Sequence, residues 1–490
     1  MKRTFLKLLG TVALINVIAR LLGFAREVII GYQYGTGYEA DSIITAFTIP
    51  NFVYIVVGGA ITTAFISVYS KTADSNKHTF VQTVLTGLGI IIGVLTILFV
   101  FIPEFWMNLF FGGLSSEAMA LTSNLFVLMA PATFFLALAM ALSGLHNVHN
   151  NFRLTAMSTL IFNAVFLIIG FGLTSIMSAY AYGLGALLGS FFMLAFLVTY
   201  IRKQAIMPFR IRLVPMPEIT RFVKMALPII FGGATIQFYF IIQRIYAADL
   251  SEGVIAAMNY ASKMTQFPQA VLMTSVTTVI YPMLAKAVND GDAQKLTKAY
   301  QQGFHMPCTL LLPATVFIFM YAKDIIAFIF EYGHFDAQST NATYPLLQVF
   351  SFGIFALALN TYVTRFFYAR ENAYLPIGMN VLSVFGVNIL VITLLIDDLG
   401  AQAIALGTVV ASIVNMLLLL AAAKHKLGLV VSSWRGIGKL ASFVGGAAVL
   451  IYCTSLVPID SHVWSLVIGG GVTGMLVLLG LKWSGGMKRG

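Results

Sequence analysis

The first long apolar stretch of the chain, from Phe5 to Ile30, carries Arg20, Arg26 and Glu27. Asn16, Arg20, Gly23 and Glu27 follow 4, 3, 4 spacing, which sets them in one stripe along a helix, with Arg26 at its border. Leu14, Ile18 and Leu22 take the opposite, apolar face. A charge at the centre of a bilayer costs from about 3 to more than 10 kcal/mol, so it persists by facing a wet cavity, meeting a partner or snorkelling. Arginine suits phosphate, because its planar fork donates bidentate, charge-assisted hydrogen bonds. The chemistry expected of this stripe is therefore recognition of an anion, with no covalent step. Lys224, Arg244 and Lys263 also fall within apolar stretches. Lys224 reads as a snorkelling residue near a helix start. Arg244 can join a cavity, snorkel, or pair with Asp249. Lys263 sits in the middle of its stretch. Arg26 and Glu27 can also form a local pair.

Other chemistries find little support. His146 and His149 stand three residues apart, but no suitably placed Asp, Glu or Cys supplies a third metal ligand. Cys308 and Cys453 lie in apolar stretches with no metal or redox spacing, so both are expected to be packing residues. No nucleophile–base constellation, glycine-rich phosphate loop or carboxylate pair is present. The chain is expected to be no enzyme and to need no cofactor or metal.

The elements that must position these charges follow from composition. The chain has 490 residues, of which 59% are hydrophobic and 10% charged, with a mean hydropathy of +0.90. Apolar runs long enough to cross a hydrocarbon core of about 30 Å recur along it, without strand alternation, so an all-α integral membrane protein is expected. Fourteen spans are read, near 5–31, 41–69, 79–103, 118–146, 153–174, 178–201, 220–248, 254–284, 299–321, 343–369, 374–396, 400–423, 437–456 and 463–482. The first is too long for a cleaved signal peptide and lacks a small-residue cleavage site. If the N-terminus is inside, alternate connections collect most basic residues, among them Lys71, Lys77, Arg202, Lys203, Arg210, Arg212 and Lys424. The opposite connections hold most acids, among them Glu39, Asp41, Asp249, Glu252, Asp397 and Asp398. This asymmetry places both termini in the cytoplasm. It also accounts for the net charge of +11, so no nucleic-acid partner is expected.

The basic connection from Arg202 to Arg221 divides two sets of six spans. Ile61-Thr62-Thr63 before Lys71 is echoed by Val276-Thr277-Thr278 before Lys286. Asn150-x-Phe152 before Met157 is echoed by Asn372-x-Tyr374 before Met379. A duplication of six helices is expected: an N-terminal lobe 1–201, a cytoplasmic linker 202–219, a C-terminal lobe 220–423, and two additional helices in 424–490. Transporters built from repeats bind substrate at the repeat interface and alternate access. Pro50, Gly58-Gly59, Pro131, Pro228, Pro268, Pro282, Pro313 and Pro376 interrupt the spans; they are either ordinary membrane-helix residues or points of bending.

The segment Asn16-Val-Ile-Ala-Arg20-Leu-Leu-Gly23-Phe24-Ala-Arg26-Glu27 resembles the first-helix motif of MurJ-type flippases, members of the MOP exporter superfamily. Asp41, Ala46-Phe47-x-x-Pro50-Asn51, Gly59-Ala60 and Ala64-Phe65 continue the resemblance through the second helix. Met225-Ala-Leu-Pro228, Tyr260-Ala261-Ser262-Lys263 with Pro268, Gly333-His-Phe335-Asp336 and Phe367-Tyr368-Ala-Arg370-Glu-Asn372 extend it along the chain. The resemblance implies a flippase for a polyprenyl-pyrophosphate-linked saccharide, in that family lipid II, the peptidoglycan precursor. It implies a V-shaped pair of lobes around a cationic cavity, and a hydrophobic groove formed with the last two helices for the prenyl chain. By it Arg20, Arg26 and Lys263 bind the pyrophosphate or sugar, and Glu27, Asn16, Asp41 and Arg244 join the substrate-binding set. The partners implied are a lipid-linked anionic saccharide, membrane lipids and proteins of cell-wall synthesis, at a bacterial inner membrane. Two departures stand out. The family usually carries one or two arginines where Phe52-Val-Tyr-Ile-Val-Val57 is uncharged, and Gln243 stands nearest the acidic sodium ligand of some relatives. Ion gradient or membrane potential stays open as the driving force. Another lipid-linked glycan, a cation or drug antiporter of the same superfamily, and a non-transporting scaffold are the alternative readings.

Overall fold

The structure is a computed structural model, and it describes residues 2–266, 269, 284, 293–368, 370, 372, 374–431, 434–459 and 461–483. Among these residues the regular structure is helical. Chain order gives α1 (Lys2–Tyr34), α2 (Tyr38–Tyr69), α3 (Asp74–Phe101), α4 (Pro103–Phe111), α5 (Ser116–Val148), α6 (Phe152–Met177), α7 (Tyr180–Lys203), α8 (Pro217–Ala248) and α9 (254–266). Then follow α10 (Ala293–Met320), α11 (Ala322–Phe330), α12 (Ala337–Tyr368), α13 (Tyr374–Leu399), α14 (Ala401–Leu427), α15 (Trp434–Ser455) and α16 (His462–Trp483).

Twelve described helices are long and apolar enough to cross a membrane, and they fall on twelve of the fourteen expected spans. The thirteenth, expected at 5–31, is α1, whose Arg20, Arg26 and Glu27 set it apart from the others. The remaining one, 254–284, begins as α9; its later part, with Pro268 and Pro282, lies outside the described residues. So do Val276-Thr277-Thr278 and Lys286 of the repeat. Pro131, Pro228, Pro313 and Pro345 lie inside helices without ending them, as neighbouring helices allow in a membrane bundle.

The chain forms two compact units, Met1–Ala256 and Ala257–Gly490. In the first, α1 packs on α6, α6 on α7, and α5 on α2, α3 and α7, while α8 packs on α2. Thus α8, counted by its sequence with the second half, is compact with the first unit. Gly185 and Gly189 on α7 let the α6 backbone close in. A Cβ there would stand 2.7 Å from the Phe166 carbonyl oxygen and 2.8 Å from that of Phe162. Small residues four apart are how membrane helices approach closely when no hydrophobic force separates lipid from protein.

In the second unit α12 packs on α10 and α14, and α13 on α14. The last two helices, α15 and α16, pack on α10 around Tyr321, Ala447, Ile451 and Leu476. Asp324 ties α11 to the start of α16: it is 2.6 Å from His462 Nδ1 and accepts from Ser465 Oγ at 2.7 Å.

Two membrane helices contain a wide π-helical turn, Val53–Val57 in α2 and Leu382–Asn388 in α13. Such turns are rare and frequently mark functional segments. The first lies within the uncharged stretch from Phe52 to Val57.

Candidate functional site

The site is built upward from α1. Its far end is fixed by Gln33, whose Oε1 accepts from Tyr182 Oη at 2.5 Å and from Thr174 Oγ1 at 3.2 Å. Tyr34 meets the Tyr182 ring edge-on. One helical turn and a half below, the expected stripe is realised with a gradient of burial. Asn16 and Arg20 are exposed, Gly23 is half-buried against Asn163, and Glu27 is buried at 4% exposure. On the opposite face Leu14 and Ile18 are exposed, as a lipid-facing surface requires.

Arg26 Nη2 donates to Glu27 Oε1 at 2.7 Å. Its guanidinium also lies 4.5 Å from the Phe166 ring centroid and 5.6 Å from that of Phe47. Those rings pack edge-to-face at 5.3 Å, and Phe162 stacks on Phe47 and meets Phe166 edge-on. The aromatic wall thus holds the guanidinium by cation–π contact while Glu27 takes one of its N–H groups. The packing of α6 on α1 therefore positions Arg26 through Phe166, which Phe162, one turn away on α6, meets edge-on.

Arg244 of α8 joins this group. Its Nη1 donates to Thr48 Oγ1 of α2 at 2.6 Å. The Thr48 hydroxyl in turn donates to the Ile44 carbonyl at 3.0 Å, which turns its lone pairs toward the arginine. Glu27 attracts the Arg244 guanidinium and Arg26 repels it, so the three charges share one electrostatic neighbourhood. The sequence offered a cavity, snorkelling or Asp249 for Arg244, and Thr48 was not among those readings. No sequence signal links residues 196 positions apart.

Asp41 has a structural engagement. It is 3% exposed, and its two carboxylate oxygens accept from the backbone N–H groups of Gly253 and Ala256, each at 2.7 Å. It thus caps the beginning of α9, where a helix N-terminus favours a negative charge. Gly253 adopts φ +85°, and a Cβ there would stand 1.9 Å from the Thr36 carbonyl oxygen. Beside it Ser115 Oγ donates to Glu252 Oε1 at 2.6 Å.

Lys263 belongs to the second unit and is half-buried. One turn before it on α9, Tyr260 is fully buried and packs on Phe330 and Phe335. The adjoining Asp336 starts α12, its Oδ1 accepting from the Ser339 N–H at 2.8 Å. That N–H holds the Asp336 carboxyl below the usual carboxylate range. Two motifs far apart in sequence, Tyr260–Lys263 and Gly333–Asp336, therefore meet. Lys224 is exposed.

The histidines have packing roles: His146 is buried with Nε2 3.2 Å from the Leu197 carbonyl, and His149 Nε2 is 3.3 Å from Tyr69 Oη. No cluster of His, Cys, Asp and Glu that could hold a metal occurs among the described residues. Cys308 is buried as expected, but Cys453 is exposed on α15, as its neighbour Tyr452 is.

Residues 30–469 match the protein family described as Lipid II flippase MurJ. The chain is 28% identical over 434 residues to a probable lipid II flippase MurJ of Buchnera aphidicola subsp. Acyrthosiphon pisum, covering 84% of this chain and 83% of that protein. It is 27% identical over 489 residues to a probable lipid II flippase MurJ of Rhizobium tropici, covering 94% and 90%. A solved structure of lipid II flippase MurJ in an inward closed conformation superposes with a TM-score of 0.85 at 23% identity, covering 98% of this chain and 99% of that one. An inward-facing multidrug resistance transporter of the MATE family in the MOP superfamily superposes at 0.71 with 13% identity, covering 84% and 94%.

Proposed function

Because the chain belongs to the lipid II flippase MurJ family, we propose that it carries a polyprenyl-pyrophosphate-linked saccharide, lipid II, from the cytoplasmic to the outer leaflet by alternating access. The observation that carries this reading is the charge balance of the first unit. Arg26 pairs with Glu27, Arg244 feels both of those charges from α8, and Arg20 lies on the same stripe of α1 as Glu27. A site with excess positive charge in a low-dielectric setting selects an anion, and a pyrophosphate offers the oxygens that guanidinium forks match. Arg26 is already held by its aromatic wall. Arg244 supplies from α8 a charge that α2 lacks between Phe52 and Val57. Lys263 is proposed to bind the same substrate on the strength of its motif, and Asn16 to hydrogen-bond the head group. Asp41 acts by holding the start of α9.

The family is one of transporters, and the chain is a multi-pass membrane protein. Both termini are proposed to be cytoplasmic, because the basic residues gather in alternate connections. A reporter fused to either terminus that is active only outside the cytoplasm would overturn that orientation. The prenyl chain is proposed to lie along α15 and α16, whose Val449, Leu450, Val467 and Met475 are exposed.

The test is translocation in proteoliposomes of lipid II, of a second polyprenyl-pyrophosphate sugar, and of a cationic dye. Movement of lipid II supports the proposal. Movement of only the second sugar corrects the cargo. Proton- or sodium-driven dye efflux, lost on Glu27→Gln, replaces the proposal with an antiporter. Function that survives Arg20→Ala together with Lys263→Ala would favour a scaffold.

A further inference from the structure

We propose that the connection between α7 and α8 is a strap that binds an anionic lipid surface. Its central sequence, Pro208-Phe209-Arg210-Ile211-Arg212-Leu213-Val214, alternates apolar and cationic residues, and no acid occurs from Gln204 to Pro217. The backbone forms no helix and is tied along one side to α3. The Pro208 carbonyl accepts from Gln82 Nε2 at 2.8 Å, the Arg212 N–H donates to Thr86 Oγ1 at 3.1 Å, and the Val214 N–H donates to Thr83 Oγ1 at 3.3 Å. Arg212 Nη1 also donates to Thr79 Oγ1 at 3.2 Å. Thr79, Gln82, Thr83 and Thr86 form one stripe on α3, so the strap lies in a built polar seat.

That seat leaves Ile211 turned fully outward, while Leu213, whose Cδ2 lies beside Gly87 of α3, and Phe209 keep an exposed side. Ile211 is 94% exposed, Leu213 59% and Phe209 37%. Arg210 and Arg212 are exposed between them, and Arg202 and Lys203 are exposed at the end of α7. The Arg202 guanidinium lies 5.7 Å from the Phe209 ring centroid. Water alone would leave three large apolar side chains wet, and hydrocarbon alone would strand the guanidinium groups. The head-group region of an anionic bilayer satisfies both, taking the apolar tips into the acyl boundary and the cations onto phosphate. The connection joins two membrane-spanning helices, so it lies where such a boundary must be. The inference needs only that the helices span a membrane and is independent of the cargo.

The test uses the full chain with Cys308→Ala and Cys453→Ser, carrying Ile211→Cys or Leu213→Cys labelled with a small fluorophore, in lipid nanodiscs. Bromine is placed on the acyl chains of either phosphatidylglycerol or phosphatidylcholine at equal total bromine. Quenching stronger from brominated phosphatidylglycerol at both positions is the expected result. Arg210→Gln and Arg212→Gln should each weaken that preference about fivefold, the equivalent of ~1 kcal/mol per cation near an anionic surface. Equal quenching from the two lipids would overturn recognition of the anion. Absence of quenching from both would overturn the membrane contact itself and point to a protein partner or water.

Discussion

At the residue scale, the charges that open the sequence find one partner that the sequence announces, Glu27 for Arg26, and others that it does not. Arg26 is held by Glu27, its neighbour in the chain, and by Phe47 and Phe166, which only folding brings to it. Arg20 and the stripe beneath Glu27 were legible because 3.6-residue periodicity is local. Thr48 and the engagement of Asp41 were not, because their partners are 196, 212 and 215 residues away. Thr48→Val removes the acceptor of a charge-assisted bond worth about 1.5 to 3 kcal/mol. Lipid II translocation should fall roughly tenfold or more, with Thr48→Ser close to wild type; equal rates for valine and serine would detach Thr48 from the site. Asp336 offers a separate check in the second unit. Asp336→Ala should cost about 1 kcal/mol of stability through the lost cap. Its carboxyl is depressed in the folded protein, so the capping contribution is present above the unfolded pKa of about 4 and is lost as pH falls below it. Thermal unfolding of wild type and variant should therefore differ at pH 7 and converge in acid.

At the scale of elements, the spans were legible and their internal irregularities were not. Hydropathy placed the helices because a bilayer imposes length and apolarity on each one separately. The π-helical turns Val53–Val57 and Leu382–Asn388 depend on packing, and nothing in Val53-Tyr-Ile-Val-Val57 announces one. The turn into α9 shows how a loop becomes obligatory. Gly253 needs a left-handed backbone and has no room for a side chain beside Thr36, while Asp41 holds the amides on either side of the turn. Gly253→Ala should lower the unfolding temperature in detergent by more than Asp41→Asn does, because a methyl group meets backbone whereas an amide side chain keeps one acceptor. A Gly253→Ala protein as stable as wild type would show that the turn is not so constrained.

At the scale of the whole molecule, family membership and two compact units are both established, and the units divide the chain differently from the duplication expected from its sequence. The duplication signal splits it near 202–219, whereas α8 is compact with the first unit. A duplication would record ancestry, and compactness records which side chains meet, so the two need not coincide. The last two helices, set apart by the repeat, pack closely within the second unit through Tyr321, Ile451 and Leu476. The central claim is that a cationic cluster on membrane helices moves an anionic lipid. It is tested most directly by the initial rate of lipid II translocation in proteoliposomes, comparing wild type with Arg20→Ala and Arg26→Ala of matched folding and reconstitution. Loss of one charge-assisted contact worth ~2 kcal/mol predicts a fall of roughly 30-fold for each variant. Wild-type rates in both would contradict the account.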